Sequence, residues 1–444
     1  MREGQRGDEA MEWYNLISLG GLAGLLAIAW LLSRDRRRQN PRCILGGMGL
    51  QLALGAMVFL TPGSQRFFLW LNDLVLRFLD AATAGQRFVF GPLALGPGQT
   101  DADGNASIGF ILATQALPMV IFFAALMGLL YYIGVMQWIV RGFAWVFARL
   151  MRISGAEALC AASNIFVGIE STTAVRPYLA RMTDSELCTI LTAGLATVAS
   201  TTMGLYVLLL KDTFPTIAGH LISASILSAP AAIVFSKVLV PETDTPLTLG
   251  RVAEFHYERE SGPIEAIING AMAGVKLAVG IVALLIAFLG LLGVLDLILA
   301  AVGHGVGLWP AGADAGASPI AALLGRVFYP VALLIGVPPA DAALVGEMLG
   351  TRLVATEIPA YQRLAAAMAD GQLVHERSSV IAAYGLCGFA HVASLAIFVG
   401  GVAALVPSRR ADLARVAPRV LLAATLACLA TAAVAGTFFI PAAP

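Results

Sequence analysis

The sequence predicts an all-α, polytopic membrane protein with about eight transmembrane helices and two re-entrant hairpins. The 444 residues are 58% hydrophobic and only 13% charged, and their mean hydropathy is +0.82. Soluble domains carry about 25% charged residues, so this composition indicates a membrane protein. A span needs about 20 residues, and uncharged apolar windows of near that length or longer recur at 13–32, 43–61, 105–140, 187–210, 213–236, 277–295, 378–407 and 420–439.

Basic residues beside these windows indicate the orientation of the chain. The segment 34–38 holds four arginines, the segment 409–415 holds three, and 241–263 is polar throughout. Because cytoplasmic loops carry an excess of Lys and Arg, all three segments are expected in the cytoplasm and both chain ends outside. The first apolar run is too long for a cleaved signal and no small-residue cleavage pattern follows it. We therefore expect a multi-pass protein of the cell (inner) membrane.

Two amphipathic segments are expected to lie along the membrane surface rather than to cross it. Residues 64–90 and 138–153 interleave charged side chains with aromatic ones, which is the pattern of interfacial helices. Residues 97–105 are rich in Gly, Asp and Asn and are predicted to form a loop. The five cysteines show no metal-ligand spacing and are predicted to act as small apolar side chains.

Two further apolar segments are interrupted by polar residues, glycine and proline. They are 155–182 and 316–370, and each precedes a long span, 187–210 and 378–407 respectively. Interrupted hydrophobic segments at corresponding places in the two halves of a chain point to re-entrant hairpins in inverted-repeat membrane proteins. We therefore predict a hairpin and a partner helix in each half, although the two halves show no residue-level identity.

Two acidic residues lie inside these interrupted segments, Glu170 in the first and Glu357 in the second. A carboxylate at membrane depth is costly, by about 2.5 to more than 10 kcal/mol, and is expected to face a cavity, an ion or a substrate. Two such acids predict a transport site. The alternative for each is a structural ion pair, with Arg176 for Glu170 and with Arg352 for Glu357.

Neutral oxygen atoms near the first acid suggest a cation site. Asn164 offers a side-chain oxygen, Val167 a carbonyl if the helix breaks near Gly168, Thr197 a hydroxyl and Val198 a carbonyl. Oxygen ligands at a helix break suit Na⁺. The alternative is an ordinary polar contact between membrane helices.

The last polar group lies in the window 378–407. His391 and Ser394 are three residues apart and are predicted to share a helix face, and Phe389 is placed to stack on an aromatic ring. In the second interrupted segment Pro359 lacks an N–H, so the carbonyl of Ala355 is predicted to lose its helical partner.

No pattern in the sequence favours an enzyme. There is no nucleophile elbow, no metal-ligand cluster and no phosphate-binding glycine loop, and we expect neither catalytic residues nor a nucleic-acid partner. The expected surroundings are membrane lipid.

Several stretches of the chain resemble the concentrative nucleoside transporters. Asn164-Ile165-Phe166-Val167-Gly168 and the residues that follow to Leu187 resemble the first hairpin of that family. Further stretches resemble the same family, so that the likeness covers roughly residues 110–440; they are 116–127, 130–138, 225–231, 386–390 and 406–412.

The resemblance implies a homotrimer of eight-span protomers that imports nucleosides by an elevator motion driven by Na⁺ or H⁺. It places Asn164, Val167, Thr197 and Val198 on the Na⁺ ligands of the family. The positions that it places at the substrate are Glu170, Thr356, Glu357, Phe389, His391 and Ser394.

The resemblance also implies a division into a scaffold and a moving transport part. Residues 1–110 (N-terminal transmembrane and interfacial helices), 111–153 (a span and an interfacial helix) and the span of 241–315, which follows a cytoplasmic loop, are expected in the scaffold. Residues 154–240 (first hairpin and following spans) and 316–444 (second hairpin and C-terminal spans) are expected in the transport part.

This chain departs from the family pattern at three places. Gly168-Ile169-Glu170 stands where the family has Gly-Gln-Thr-Glu, so Glu170 takes the place of either the Glu or the Thr. Thr356 stands where the family has Asn before its acid, and His391 stands where the family has Asn. Loss of amide groups alters hydrogen-bond specificity strongly, so the expected substrate is a nucleoside or a nucleoside-like solute, including a modified nucleoside or another polar ring compound. The alternatives are H⁺ coupling through His391 and a nucleoside-binding sensor that does not transport.

Overall fold

The chain folds almost entirely into α-helices. The computed structural model describes residues 2–101, 104–251, 253–256, 260–305 and 319–441. The α-helices within these ranges are α1 Arg2–Leu31, α2 Pro41–Leu60, α3 Pro62–Phe90, α4 Leu117–Tyr132, α5 Val135–Met151, α6 Gly155–Asn164, α7 Arg176–Leu179, α8 Asp184–Ala196, α9 Ser200–Leu210, α10 Ile217–Leu239, α11 Pro263–Gly305, α12 Pro319–Leu334, α13 Pro339–Val354, α14 Glu357–Ala369, α15 Glu376–Leu386, α16 Val392–Leu405 and α17 Arg410–Thr437.

The number of membrane-crossing segments agrees with the sequence prediction. Over the described ranges, 7 helical segments are long and apolar enough to cross a bilayer, with α8 and α9 together making one of them. The pair α12 and α13 raises the number to 8 if it is taken as one broken span, and its two helices are bent by 118°. The prediction of a polytopic, all-α membrane protein is therefore confirmed.

Both predicted partner spans, 187–210 and 378–407, contain a break in the helix. The first breaks after Ala196 and resumes at Ser200, and the second breaks after Leu386 and resumes at Val392. No proline marks either break. Contacts with the hairpins and between the two breaks replace the missing helical bonds, and such contacts between distant residues leave no local signal in the sequence.

The two re-entrant hairpins lie where the interrupted segments predict them, with one difference. The first consists of α6, an irregular turn, a 3₁₀ segment over Ile169–Val175 and α7. The second consists of α13 and α14 only, because α12 forms a separate helix before it. Pro359 does not interrupt a helix. It is the third residue of α14, whose N-cap is Thr356, and a proline in the first turn lacks only an N–H that has no helical partner anyway.

The segments predicted as interfacial form the amphipathic helices α3 and α5. Asn72 of α3 accepts the backbone N–H of Ala218 at 3.1 Å, and its amide donates to the carbonyl of Pro215 at 3.1 Å. A side chain of α3 therefore satisfies a backbone group that α10 leaves open at its N-terminus.

The centre of the molecule is formed by α10 and α17, against which α1, α2 and α8 pack. The long helix α11 lies at the periphery and is only 6% buried over its most apolar window. It meets α4 by close backbone contact: a Cβ added at Gly128 would lie 2.5 Å from the carbonyl oxygen of Ala266. Small residues permit this approach, as is usual between membrane helices.

The base of the first hairpin is fixed by a buried ion cluster. The ammonium of Lys237, at the end of α10, lies 2.5 Å from a carboxylate oxygen of Glu157 in α6 and 3.1 Å from one of Glu242. Glu157 is fully buried, and it also closes a capping box with Ser154 at the start of α6. Charge pairing and helix capping therefore hold α6, the first helix of the hairpin, against α10.

Two of the basic segments used to predict the orientation meet at one acidic residue. Asp184, the first residue of α8, lies 3.1 Å from the guanidinium of Arg34 and 3.2 Å from that of Arg415, and Arg409 lies 3.8 Å away. The segments 34–38 and 409–415 are therefore on the same side of the molecule, as the predicted orientation requires.

Candidate functional site

The two helix breaks and the turns of the two hairpins meet at one place. The hydroxyl of Thr197 lies 2.8 Å from the carbonyl oxygen of Asn164, and the N–H of Ser200 donates to the carbonyl of Phe166 at 2.8 Å. These contacts join the first break to the first hairpin. The breaks also touch each other, since a Cβ added at Gly388 would lie 2.8 Å from the carbonyl oxygen of Ala196.

Three of the four predicted cation ligands, Asn164, Thr197 and Val198, lie around the first break, and Val167 follows Phe166 in the turn of the first hairpin. Asn164 ends α6, and its amide donates to the carbonyl of Cys160 at 3.1 Å. Its side-chain oxygen is buried and has no hydrogen-bond partner among the residues that the structure describes. Thr197 and Val198 occupy the break itself, and the Val198 carbonyl is 3.3 Å from the hydroxyl of Ser225. An unpartnered buried oxygen beside non-helical carbonyls fits a hard cation such as Na⁺.

The second acid, Glu357, is the centre of a buried polar group. It is 4% exposed, and its Oε1 accepts the hydroxyl of Tyr206 at 2.5 Å. Its Oε2 lies 2.9 Å from Nε2 of His391. Arg352 is not its partner, because that guanidinium donates to the carbonyl of Gly385 at 2.6 Å. The alternative of an ion pair between Arg352 and Glu357 is therefore wrong.

His391 does not share a helix face with Ser394, contrary to the sequence prediction. It lies just before α16 as the N-cap residue, where its Nδ1 accepts the N–H of Ser394 at 3.3 Å. The two side chains still meet, since the Ser394 hydroxyl lies 2.9 Å from Nε2 of His391. The helix break turns the imidazole toward the second hairpin, which a continuous helix would not do.

The remaining predicted substrate positions lie beside this group in sequence. Thr356, the residue before Glu357, is buried, and within the described part of the chain its hydroxyl has no hydrogen-bond partner. Phe389 is half-buried within the second break. The side chain of Glu170, and with it the alternative pairing with Arg176, lies outside the described residues; its backbone belongs to the 3₁₀ segment of the first hairpin.

Sequence reasoning missed Tyr206 as a site residue. It lies on α9, is fully buried, and stacks on Tyr361 of α14 with ring centroids 4.8 Å apart. A tyrosine in an apolar helix is an ordinary feature of a membrane protein, but a buried hydroxyl needs a partner. The only available signal was that general requirement, which does not say which acid is the partner.

Comparison with known proteins identifies the family. Residues 20–93 match the family described as Na⁺ dependent nucleoside transporter N-terminus, and residues 220–436 match its C-terminus. Residues 113–213 match the family described as Gate: nucleoside recognition.

The sequences of several relatives align with nearly the whole chain. An uncharacterized transporter of Haemophilus influenzae is 35% identical over 427 residues, which is 95% of this chain and 97% of that protein. Solute carrier family 28 member 3 of Rattus norvegicus is 36% identical over 95% of this chain, which spans 58% of the length of the rat protein. Sodium/nucleoside cotransporter 1 of Mus musculus is 34% identical over 98% of this chain, which spans 65% of that protein.

Solved structures have the same fold. The structure of CNTnw in an inward-facing, substrate-bound state is 34% identical and superposes with a TM-score of 0.84, covering 96% of this chain and 98% of the other. A doubly substituted CNTnw in an outward-facing state gives a TM-score of 0.86 at 33% identity, covering 96% and 99%. The chain belongs to the family of Na⁺ dependent nucleoside transporters.

Proposed function

We propose that this protein imports nucleosides or nucleoside-like solutes across the cell membrane and that the Na⁺ gradient drives the import. The observation that carries this proposal is the meeting of two hairpin turns and two helix breaks around one buried acid, Glu357, and one unpartnered amide oxygen, that of Asn164. Unsatisfied polar atoms at the centre of a membrane protein are costly, and they are retained where a ligand completes them.

The coupling ion is assigned to the first break. Asn164, Val167, Thr197 and Val198 would hold Na⁺ through one amide oxygen, one hydroxyl and two carbonyls. Bound there, the ion supplies a positive charge that ties the first hairpin to α8 and α9. Its removal leaves the Asn164 oxygen unsatisfied and loosens that contact.

The substrate is assigned to the space between the second hairpin and the second break. Glu357, Thr356, His391 and Ser394 offer polar atoms for a sugar or a similar hydroxylated ring, and Phe389 offers an apolar ring for stacking. Glu170 completes the set from the first hairpin. An elevator motion would carry the two hairpins and their partner helices past a scaffold.

The apolar surface of α11 supports a further part of the proposal. Large apolar side chains are exposed along this helix from Ile264 to Val302, and lipid or a neighbouring subunit must cover them. We assign part of this surface to contacts within a homotrimer. The mass of the purified protein in a mild detergent, measured by native mass spectrometry, tests this assignment, and a monomer would refute it.

The transport proposal is tested with purified protein in liposomes. Uptake of radiolabelled uridine, adenosine and modified nucleosides is measured with a Na⁺ gradient and with choline in place of Na⁺. We expect accumulation only with Na⁺. Accumulation that survives in choline and follows a pH gradient would replace Na⁺ by H⁺ as the coupling ion, and binding without accumulation would indicate a sensor.

Matched variants connect the uptake to the site. Glu357→Gln removes the charge of the central acid and should abolish uptake while the protein stays folded. Glu347→Gln in the preceding helix α13 is the control. Glu347 lies away from the site, where its carboxylate is 3.3 Å from the guanidinium of Arg363. Equal uptake by both variants would show that Glu357 does not bind the substrate.

A further inference from the structure

Two segments that are far apart in sequence form one basic surface at one end of the molecule. This basic surface comprises residues 34–42, residues 409–419 and Asp184, the aspartate at which Arg34 and Arg415 meet. It holds nine arginines and three aspartates, and therefore carries a net charge of +6, in a chain whose total formal charge is zero. Seven of the nine arginines are exposed. The acidic residues of the surface cannot neutralise it, so a negatively charged partner is expected there.

The three aspartates of the basic surface already have partners within it. Asp184 is shared by three arginines, each oxygen atom of Asp412 lies 2.5 Å from an arginine, and Asp35 lies 3.6 Å from Arg38. Three exposed arginines, in contrast, have side chains that form no hydrogen bond or ion pair with the described part of the chain; they are Arg37, Arg42 and Arg410. These three guanidinium groups are available to a ligand.

The side chains beside the basic surface place it where the bilayer meets water. The segment Trp13–Leu31 is long and apolar enough to cross a membrane, and Trp30, Leu31 and Leu32 at its end are exposed. Tryptophan is enriched at membrane–water interfaces. The guanidinium of Arg36 lies 5.8 Å from the centroid of the Trp30 ring and donates to the carbonyl of Leu31 at 3.1 Å. Its charge is therefore held at the depth of the lipid headgroups.

We propose that the basic surface binds anionic phospholipids of the leaflet that it faces. Arginine binds phosphate groups through paired hydrogen bonds, and each arginine close to an anionic membrane raises the affinity about fivefold. A zwitterionic phospholipid presents the same phosphate without a net charge. A preference for anionic lipid is therefore the property that distinguishes this surface from an ordinary lipid contact. The inference does not depend on the proposed import of solutes.

The basic surface is also attached to the first hairpin. Arg409 donates to the carbonyls of Ala180 and Met182, which lie between α7 and α8, and Asp184 begins α8. Anionic headgroups offset the mutual repulsion of the arginines that meet at this link. Bound lipid should therefore raise the stability of the protein by mass action.

The first test measures the lipid composition next to Trp30. The protein is reconstituted in mixed vesicles of phosphatidylcholine and phosphatidylglycerol, and one of the two lipids carries brominated acyl chains that quench tryptophan fluorescence on contact. Subtracting the signal of Trp30→Phe removes the contribution of the other five tryptophans. At low salt, brominated phosphatidylglycerol should quench Trp30 at least about fivefold more per molecule than brominated phosphatidylcholine, and added salt should reduce this difference by screening the charges. Equal quenching by the two lipids overturns the proposal.

Variants of the three available arginines connect this preference to the basic surface. The combined variant Arg37→Gln, Arg42→Gln, Arg410→Gln should need at least about tenfold more phosphatidylglycerol for half-maximal quenching of Trp30. Lysine at the same three positions keeps the charge but not the paired hydrogen bonds, so that variant should stay within about threefold of the parent. An unchanged affinity in the glutamine variant, or an equal loss in both variants, refutes the role of these charges.

The control variant Arg66→Gln, Arg77→Gln, Lys211→Gln removes as many charges at the opposite end of α10. The helix α3, which carries both arginines, contacts the start of α10, whereas the N–H of Arg34 donates to the carbonyl of Leu239 at its end, at 2.9 Å. The 23 residues of α10 separate these ends by about 35 Å. The control should keep the preference of the parent. A loss equal to that of the glutamine variant would mean that overall charge, and not this surface, attracts the lipid.

Two further measurements separate lipid binding from other causes. Inorganic phosphate should reduce the quenching no more than sodium chloride does at equal ionic strength, and a larger reduction would show that the surface binds free phosphate instead of lipid. The midpoint of thermal unfolding should rise when phosphatidylglycerol replaces phosphatidylcholine, more in the parent than in the glutamine variant, and no rise in the parent contradicts the stabilising effect. A cooperative transition in phosphatidylcholine shows that the glutamine variant is folded. If it is not folded, the lysine variant and the salt dependence of the parent decide.

Discussion

Replacing Lys237 by methionine should destabilise the first hairpin more than any surface substitution. Its ammonium lies 2.5 Å from Glu157, which is 0% exposed, and 3.1 Å from Glu242, whose side chain is 23% exposed. Removing one partner of a buried ion pair leaves an uncompensated charge and costs about 3–5 kcal/mol. Glu242 reaches water and can be resolvated, so most of this cost comes from Glu157.

The double variant Lys237→Met, Glu157→Gln provides the decisive comparison. A buried ion pair replaced as a whole is often neutral in stability, so the second substitution should recover most of the loss. Equilibrium unfolding in mixed detergent micelles measures the free energy of each variant. Lys211→Met, at the end of α9, is the control and should change stability by no more than about 0.5 kcal/mol.

Two results would refute this reasoning about Lys237. One is a loss of less than about 1 kcal/mol in the single variant, a size typical of exposed pairs. The other is a double variant as unstable as the single one, which would mean that the buried charge of Glu157 is not the source of the cost.

Two further predictions concern the site. Gly388→Ala should reduce uptake at least tenfold, because φ is +133° and the new Cβ would lie 2.7 Å from the sulfur of Cys428. Gly400→Ala should be tolerated, since a Cβ there meets no described atom within 4 Å. Equal uptake by the two variants would contradict the described break. Thr197→Val should raise the Na⁺ concentration for half-maximal uptake severalfold, whereas Thr192→Val in the preceding helix α8 should not. An unchanged Na⁺ dependence in Thr197→Val would remove Thr197 from the ion site.

Much of the fold could be predicted from the sequence because lipid imposes simple rules. Apolar length marks the membrane spans, and the polar and proline-rich interruptions mark both hairpins. The breaks after Ala196 and Leu386 could not be predicted, because each apolar window is long enough to be one continuous helix. What decides against the continuous helix is contact between distant residues, such as Ser200 with Phe166.

Only part of the candidate site could be predicted, again because contacts between distant residues leave no local signal in the sequence. Glu357 stands out as a charge in an apolar setting, so any reading of the sequence selects it. Tyr206 does not stand out, since its importance comes from a contact across 151 positions of the chain. The predicted helical spacing of His391 and Ser394 selected the right pair with the wrong geometry, because a capping residue and a residue on a helix face have the same separation in sequence.

The helix α9 is short, yet it touches both halves of the site. The N–H of Ser200 at its start holds the carbonyl of Phe166 in the first hairpin, and the hydroxyl of Tyr206 holds Glu357 in the second. Six residues of helix span about 9 Å and behave as a stiff rod over that distance. Release of the cation that we propose at the first break would therefore reach the acid as a displacement of the tyrosine. By thermodynamic reciprocity, any factor by which the proposed cation raises solute affinity is also the factor by which the solute raises cation affinity. The eleven residues of α9 are the element that contacts both proposed sites.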